Sequence, residues 1–307
     1  MTSHVAVLMA THHGAPWLEQ QVESVLNQVG VDVHIFVSDD LSTDSTVAWI
    51  TNKAIQDKRI SLLPLGDKFG SAGKNFFRLI KDIDLLGYDY VAFCDQDDIW
   101  ECDKLVRHIM LAKAQHADGV SSNVLAFWPN NKKKLIVKSQ VQRKWDFLFE
   151  SAGPGCTFLM TPWLVSQLKS LLKMESGFAK DATLHDWLAY AVCRSSGHKW
   201  VIDAHPSVLY RQHESNVLGA NSGLKAKLSR IVKLKQGWYR SEIKNMCKIS
   251  LMISQNEEIN QLLKLLESNT FISQIKLLCY VPQARRKFSD RVFLLLSILL
   301  FWFSDSP

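Results

Sequence analysis

Four apolar runs alternate with stretches of helical spacing between Val5 and Cys94, and this alternation limits the chain to few folds. Val5–Ala10, Val33–Val37, Ile60–Leu63 and Tyr90–Cys94 read as strands. Pro16–Gln28 carries Trp17, Val22, Val25 and Leu26 at helical spacing, and Asp44–Ile55 and Gly73–Ile83 read as the next two helices. Strands joined through amphipathic helices predict an α/β fold with a mainly parallel, Rossmann-like sheet covered on both faces. Ligands of such sheets bind beyond the carboxyl ends of the strands. Three polar clusters share that address: Thr11–His13 after the first strand, Ser38–Asp40 after the second, and Asp95–Asp98 after the fourth. Segments distant in sequence should therefore meet on one edge.

The last cluster, in FCDQDDIW (Phe93–Trp100), is the most telling. Asp95, Asp97 and Asp98 arrive together at the end of a buried run, and crowded carboxylates repel one another unless something positive sits between them. A hard divalent cation holding phosphate oxygens fits, since Mg²⁺ takes one or two carboxylates plus substrate phosphates. The plainer alternative is a polar turn with an N-cap for a helix from about Asp103.

Length and composition allow one domain and an appendage: 307 residues, 47% hydrophobic, with no internal repeat. The six cysteines show no CxxC and no paired spacing, so they read as reduced thiols of a cytoplasmic protein rather than a zinc site or a disulfide frame. The chain opens almost directly on a strand, which argues against a signal peptide. Of the net charge of +6, the segment Lys225–Arg291 alone supplies 14 Lys/Arg against 5 Asp/Glu, or +9, leaving −3 for the remainder. A basic groove for nucleic acid is therefore not expected.

Other motifs are weaker singly. Asp40 ends the second strand, where a carboxylate can accept a base imide N–H or ribose hydroxyls, or simply cap a turn. Asp44 reads as a helix-capping residue. FGSAGKNFF (Phe69–Phe77) has glycines that let backbone approach a ligand and a helix start that favours an anion, but no Walker lysine–hydroxyl pair. Asp186, in His185–Asp186–Trp187, sits in a first helical turn, where the macrodipole favours its ionised form and suits it to act as general base, or merely to open the helix. Arg211 and His213, in Tyr210–His213, offer a cation for a diphosphate and an imidazole for metal or phosphate; by default they are a solvated Arg and a satisfied His. Further along, a strand is expected near Val120–Phe127, a basic loop at Lys132–Lys134, a Gly-rich turn at Ser151–Phe158, and helices from about Pro162 to Leu172 and Leu184 to Arg194.

As an ordered set, Val5–Gln28, Val37–Thr46, Phe69–Phe76, Phe93–Trp100, Gly155–Met160, His185–Tyr190 and Tyr210–Gly219 resemble family 2 glycosyltransferases of the GT-A fold, in the rhamnosyltransferase-like branch. The resemblance spans roughly Val5–Gly219. It implies a glycosyltransferase domain over 1–221 and a helical, basic region over 222–307. It also implies donor contacts from Thr11, His12, Asp40, Gly70, Asn75, Asp95, Asp97 and Arg211. Asp97, Asp98 and His213 would hold Mg²⁺ or Mn²⁺, and Asp186 would be the catalytic base of a single inverting displacement. The donor would be dTDP-rhamnose or a UDP-sugar, and the acceptor a glycan or lipid-linked glycan of a surface polysaccharide such as O-antigen or capsule. His12–His13 replaces the family's more usual Tyr-Asn, and His185 stands where many relatives carry Glu. The QxxRW motif of processive synthases is absent, which favours one or few sugars per visit. Glycosidase chemistry also uses two carboxylates but needs no metal cluster on such an edge. A non-catalytic nucleotide-sugar binder or membrane scaffold of the same fold is the alternative.

Val292–Phe303 is twelve residues without charge, shorter than the ~20 a spanning helix needs. Arg285, Arg286, Lys287 and Arg291 precede it, and Trp302 lies within it, a pattern that suits an interfacial anchor on the anionic inner face of the cell membrane. Docking onto the protein's own core is the other expectation.

Overall fold

The computed structural model describes residues 2–174, 177–213 and 237–301. Strand β1 (Ser3–Thr11) lies at its centre because both faces of the strand are apolar. Val5, Val7 and Met9 enter one buried cluster, while Ala6, Leu8 and Ala10 enter another. Side chains alternate across a strand, so one run seeds two cores. β2 (Val31–Asp39) and β4 (Tyr90–Cys94) flank β1 in parallel, and β3 (Ile60–Leu62) extends the sheet beyond β2. Helix α1 (Leu18–Leu26) covers one face through Leu18, Val22 and Val25, and α3 (Ala72–Asp82) covers the other through Phe76, Leu79 and Ile80. α2 (Thr46–Gln56) starts two residues later than the spacing predicts, because Asp44 Oδ1 accepts the Thr46 N–H at 3.1 Å and stays outside the helix.

The sheet has seven strands, in the order β10-β6-β9-β4-β1-β2-β3. It is mainly parallel, and β9 (Leu159–Met160) runs antiparallel between β4 and β6 (Gly119–Ser122). That inserted strand draws the turn at Gly155–Thr157 against the end of β4. β10 (Trp200–Asp203) closes the edge beside β6, where a Cβ on Gly119 would lie 2.1 Å from the Trp200 ring.

The single strand expected over Val120–Phe127 is two strands in two sheets. The chain changes sheets at Asn123, whose Oδ1 accepts the N–H groups of Lys138 (2.6 Å) and Ser139 (3.0 Å) and whose Nδ2 donates to Ala204 O (2.7 Å). β7 (Val124–Phe127) then joins a four-stranded sheet of order β5-β11-β7-β8. Its members are β5 (Ile99–Trp100), β11 (Val208–Arg211) and β8 (Lys133–Ile136). The basic loop expected at Lys132–Lys134 is thus largely strand, and its lysines discourage pairing along an open edge.

Helices α4 (Lys104–Gln115), α5 (Asp146–Phe149), α6 (Pro162–Lys173) and α7 (His185–Ser195) complete the first part. Beyond it lie α8 (Trp238–Ser254), α9 (Glu257–Glu267), α10 (Phe271–Leu278), α11 (Val281–Ala284) and α12 (Phe288–Phe301). α8 packs on α7 within the same apolar cluster, with Ser195 Oγ donating to Ser250 Oγ at 2.7 Å. Asp146, fully buried, ties these parts together. It pairs with Arg194 of α7 and with Arg286 after α11, each at 3.2 Å, and accepts from Tyr190 Oη at 3.0 Å. Replacing Asp146 by Ala should leave the buried Arg286 and the half-buried Arg194 without their shared anion and lower stability by about 3–5 kcal/mol. Urea unfolding of the two proteins measures this, and a loss below about 1 kcal/mol would contradict it.

Candidate active site

The acidic turn leaves β4 at Cys94 and enters β5 at Ile99, beyond the carboxyl edge of the main sheet. Gln96 fastens it to the end of β1: its Oε1 accepts the His12 N–H at 2.8 Å and its Nε2 donates to His12 O at 2.9 Å. Antiparallel pairing of β5 with β11 brings Arg211 alongside. The Arg211 N–H donates to Asp98 Oδ1 (3.0 Å) and its Nε to Asp97 O (2.8 Å). His213 Nε2 lies 2.7 Å from Asp97 Oδ2, and its ring stacks on Trp17 at 3.9 Å.

Asp98 is wholly buried, and its Oδ2 has no hydrogen-bond partner among the described residues. Ligand atoms of Asp95, Asp98 and Cys156 all lie within 4.8 Å of one another. Burial, then the charges of Asp97 and Asp186, pushes the Asp95 carboxyl up to about 7. Burial, Asp97 and Asp95 push Asp98 well above the usual carboxylate range. Burial and the two carboxylates likewise hold the Cys156 thiol well up, so it stays protonated. The oxygen ligands a hard cation prefers are thus Asp95 and Asp98. Lys104 makes no ion pair with the cluster: its ammonium group is buried 3.6 Å over the Trp100 ring, without a hydrogen bond among the described residues, and burial drives it down to about 7. An unpaired buried acceptor among mutually repelling carboxylates suits a divalent cation. The trio expected from sequence, Asp97, Asp98 and His213, is arranged differently: Asp97 and His213 bond to each other, while Asp95 groups with Asp98.

On the β1–β2 side, Thr11 Oγ1 donates to Asp39 Oδ2 at 2.7 Å, and Asp39 also accepts the Ser42 N–H at 2.7 Å. Asp40 accepts the N–H groups of Phe69 and Gly70, the latter at 2.8 Å. Asp40 thereby pins the segment before α3, where Gly70 adopts φ +75°. His12 Nδ1 lies 2.9 Å from Asp40 O. Asn75 Nδ2 donates to Ser38 O (2.8 Å) and Thr11 O (3.3 Å), joining the ends of β1 and β2, and its buried Oδ1 has no partner among the described residues.

Asp186 stands in the first turn of α7, half-buried, with one oxygen accepting the Trp187 N–H at 2.7 Å. Burial raises its carboxyl to about 6, although hydrogen bonds from Trp187 and Ser151 and the charge of Lys138 oppose the rise. His185 fixes this turn. Its ring stacks on Phe76 at 3.9 Å and meets Phe93 edge-on at 5.0 Å, and a Cβ on Gly155 would lie 2.4 Å from its Nε2. Burial lowers its pKa to about 3, so it packs as a neutral ring. At Gly73 a Cβ would lie 2.1 Å from Thr183 O, so a glycine lets α3 approach the chain entering α7. These contacts set Asp186 within electrostatic reach of Asp95.

Sequence reasoning passed over Gln96, Cys156 and Asp39. Gln96 lies inside the acidic motif and Cys156 inside the Gly-rich turn, but spacing alone gives neither a partner. Glu214–Gly219, part of the last resembling motif, lie outside the described residues, as do Trp302 and Phe303.

An acidic loop at a parallel-sheet edge, with a separate half-buried carboxylate in electrostatic reach, suits a group-transfer enzyme. Residues 6–155 match the model of glycosyl transferase family 2. The chain is 40% identical over 293 residues to the dTDP-rhamnosyl transferase RfbG of Shigella flexneri, covering 95% of this chain and 99% of that one. It is 30% identical over 105 residues to the Escherichia coli UDP-Glc:alpha-D-GlcNAc-diphosphoundecaprenol beta-1,3-glucosyltransferase WfaP, covering 34% of this chain and 39% of that one. Among solved structures it is similar to Staphylococcus aureus TarS 1–349, with a TM-score of 0.57 and 12% identity over 97% of this chain and 80% of that one. It is also similar to the mannosyltransferase PcManGT of Pyrobaculum calidifontis in complex with GDP-Man and Mn²⁺, with a TM-score of 0.53 and 13% identity over 99% and 86%. The chain belongs to glycosyltransferase family 2 and has the GT-A fold. It is an inverting transferase that uses a nucleotide-sugar donor, and the non-catalytic reading falls.

Asp95→Asn and Asp98→Asn should each weaken Mn²⁺ binding at least about tenfold, since each removes an anionic oxygen ligand. Titration calorimetry with Mn²⁺ on folded variants tests this. Equal affinity in both would place the cation elsewhere.

Proposed function

We propose that the enzyme moves rhamnose from dTDP-rhamnose to a glycan or lipid-linked acceptor of a surface polysaccharide. The observation that carries this reading is Asp186 beside the acidic loop, in a chain alike over nearly its whole length to a dTDP-rhamnosyl transferase. We assign residues 1–221 to the transferase unit and 222–307 to a basic appendage, whose described residues from Trp238 on are mainly helical.

Asp95 and Asp98 would hold Mg²⁺ or Mn²⁺, and Asp97 and His213 form a bonded pair in the same loop region. The cation, when bound, supplies positive charge for the departing diphosphate. Arg211 braces the acidic loop through Asp97 and Asp98 and adds positive charge there. Thr11, His12 and Asn75 shape the pocket for the nucleotide, and Asp40 contributes by holding Gly70 and the segment around it. Asp186 takes the proton from the acceptor hydroxyl as that oxygen attacks the anomeric carbon. The nucleoside diphosphate leaves from the opposite face, so the configuration inverts.

Asp186→Asn keeps the shape and removes the base; transfer should fall by about 10²–10⁴-fold with donor binding retained. In the parent enzyme only the ionised carboxylate accepts the proton. With its pKa near 6, kcat/KM should fall about tenfold per pH unit below that point and level off above it. A radiolabelled-sugar transfer assay reads both, with the nucleotide sugars compared in parallel. Near-normal turnover by Asp186→Asn would exclude the assignment, and faster transfer from a UDP-sugar would exclude rhamnose.

The same reading places the enzyme in the cytoplasm, peripheral on the inner face of the cell membrane. No helix among the described residues is long and apolar enough to cross a membrane. α12 buries Leu294 and Ile298 against its neighbours but exposes Val292, Leu296 and Leu300. α10 packs beside it, with Gln274 Nε2 donating to Ile298 O, and exposes Phe271, Ile272 and Ile275. Two helices therefore present one apolar face, with Lys276, Lys287 and Arg291 nearby in the chain to meet anionic headgroups. The double change Leu296→Glu/Leu300→Glu alters exposed positions only. It should abolish co-sedimentation with phosphatidylglycerol-containing vesicles while the circular dichroism spectrum stays unchanged; undiminished vesicle binding would refute the anchor.

A further inference from the structure

We infer that Cys156 makes the pocket at the acidic loop a site for a thiophilic divalent cation of the Zn²⁺ or Cd²⁺ class, held by one thiolate and two carboxylates. This rests on the transferase reading of that loop and deepens it: a cysteine from outside the acidic motif decides which cation the pocket keeps.

Ligand atoms of Asp95, Asp98 and Cys156 lie within 4.8 Å of one another. With metal–ligand bonds of about 2.0–2.3 Å, two ligands on opposite sides of one ion stand up to about 4.6 Å apart. One ion can therefore touch all three with little movement. Asp98 supplies a separate sign that something is bound here. It is fully buried, its Oδ1 takes the Arg211 N–H at 3.0 Å, and its Oδ2 has no hydrogen-bond partner among the described residues. Cys156 is also fully buried, while Asp95 is half-buried and gives an ion its way in.

The sulfur stands on rigid backbone. In the turn Gly155–Thr157, the Thr157 N–H and Oγ1 both donate to Pro154 O, at 3.0 and 2.7 Å. The Phe158 N–H donates to Gly155 O at 2.8 Å, and the Phe93 N–H donates to Phe158 O at 3.3 Å, which fastens the turn to β4. Cys94, next to the loop in sequence, is engaged elsewhere: its Sγ accepts from Gln21 Nε2 at 2.7 Å.

Hard cations prefer carboxylate and water oxygens and leave the thiol its proton, whereas thiolate selects softer ones. When a thiophilic ion binds, the S–H bond breaks, a sulfur–metal bond forms and the proton leaves to solvent. Zn²⁺ takes four ligands, so three from the protein leave one open position. Six-coordinate Mg²⁺ on two carboxylates keeps four positions open. A diphosphate that needs two oxygens on the ion is thus accommodated by the hard cation and refused by the soft one. The ion that binds tightest is the one that blocks transfer.

The test titrates Cd²⁺ into the full chain carrying Cys102→Ser and Cys279→Ser, which removes the two exposed thiols. One equivalent should produce the ultraviolet sulfur-to-cadmium charge-transfer band, and excess Mn²⁺ should remove it. Adding Cys156→Ser should abolish the band and weaken Zn²⁺ binding, read by calorimetry, at least about tenfold. Absence of the band before that change, its survival afterwards, or equal Zn²⁺ affinity would overturn the site. Asp98→Asn keeps the thiol and reports on the same pocket should Cys156→Ser not fold: the band should weaken, and an unchanged band would overturn the site as well. dTDP should bind more weakly to the Zn²⁺-loaded protein than to the Mn²⁺-loaded one; equal binding would overturn the block. Mn²⁺ that binds yet leaves the band untouched would put the thiolate away from the loop and overturn the shared pocket. No Mn²⁺ binding at all, with the cadmium band intact, would count against the transferase reading of the loop and not against Cys156.

Discussion

Mutual repulsion among buried carboxylates is the constraint around which the site is organised. Asp95 and Asp98 stand at the end of a fully buried strand, and neither receives a side-chain cation as ion-pair partner among the described residues. Lys104 lies behind them, yet burial against Trp100 strips it of much of its charge. A protein core tolerates such a cluster only when protons or a cation supply the missing charge. The two alternatives exclude each other, so the loop that discourages ionisation in isolation is the loop that rewards a divalent ion.

The second sheet holds that loop in place. β5 follows it directly, and its pairing with β11 delivers the Arg211 N–H to Asp98 and the Arg211 side chain to the backbone of Asp97. Gln96 closes the other side onto β1. The loop is thus fastened at both ends by neutral or cationic donors, while an oxygen of Asp98 is left over. Asp186 reaches the same place by another route, through the packing of His185 between Phe76 and Phe93. His185 works here as a neutral spacer, and it sets its aspartate neighbour within electrostatic reach of Asp95.

The parallel half of the fold was legible because each strand from β1 to β4 is mostly apolar and each connecting helix has one apolar face. The acidic clusters then follow from strand direction alone. Harder to read was anything that depends on pairing between distant short strands. Nothing local marks Asn123 as the point where one run of eight residues divides between two sheets, and β5 and β9 have two residues each. Side-chain commitments were equally hidden. Asp40 ends its strand as expected, but both its oxygens are engaged by the segment before α3, and Thr11 spends its hydroxyl on Asp39. Spacing reports which groups arrive at an edge, and only coordinates report which are still free.

Arg286 binds Asp146 beneath α7 and, through Nη2, the Ser151 carbonyl at 2.6 Å, in the loop that borders Asp186. The residue that begins the run into the terminal helix is therefore also a rivet of the reaction cleft. One side chain thus answers to two demands at once, the packing of the helices that follow α11 and the shape of the loop next to Asp186.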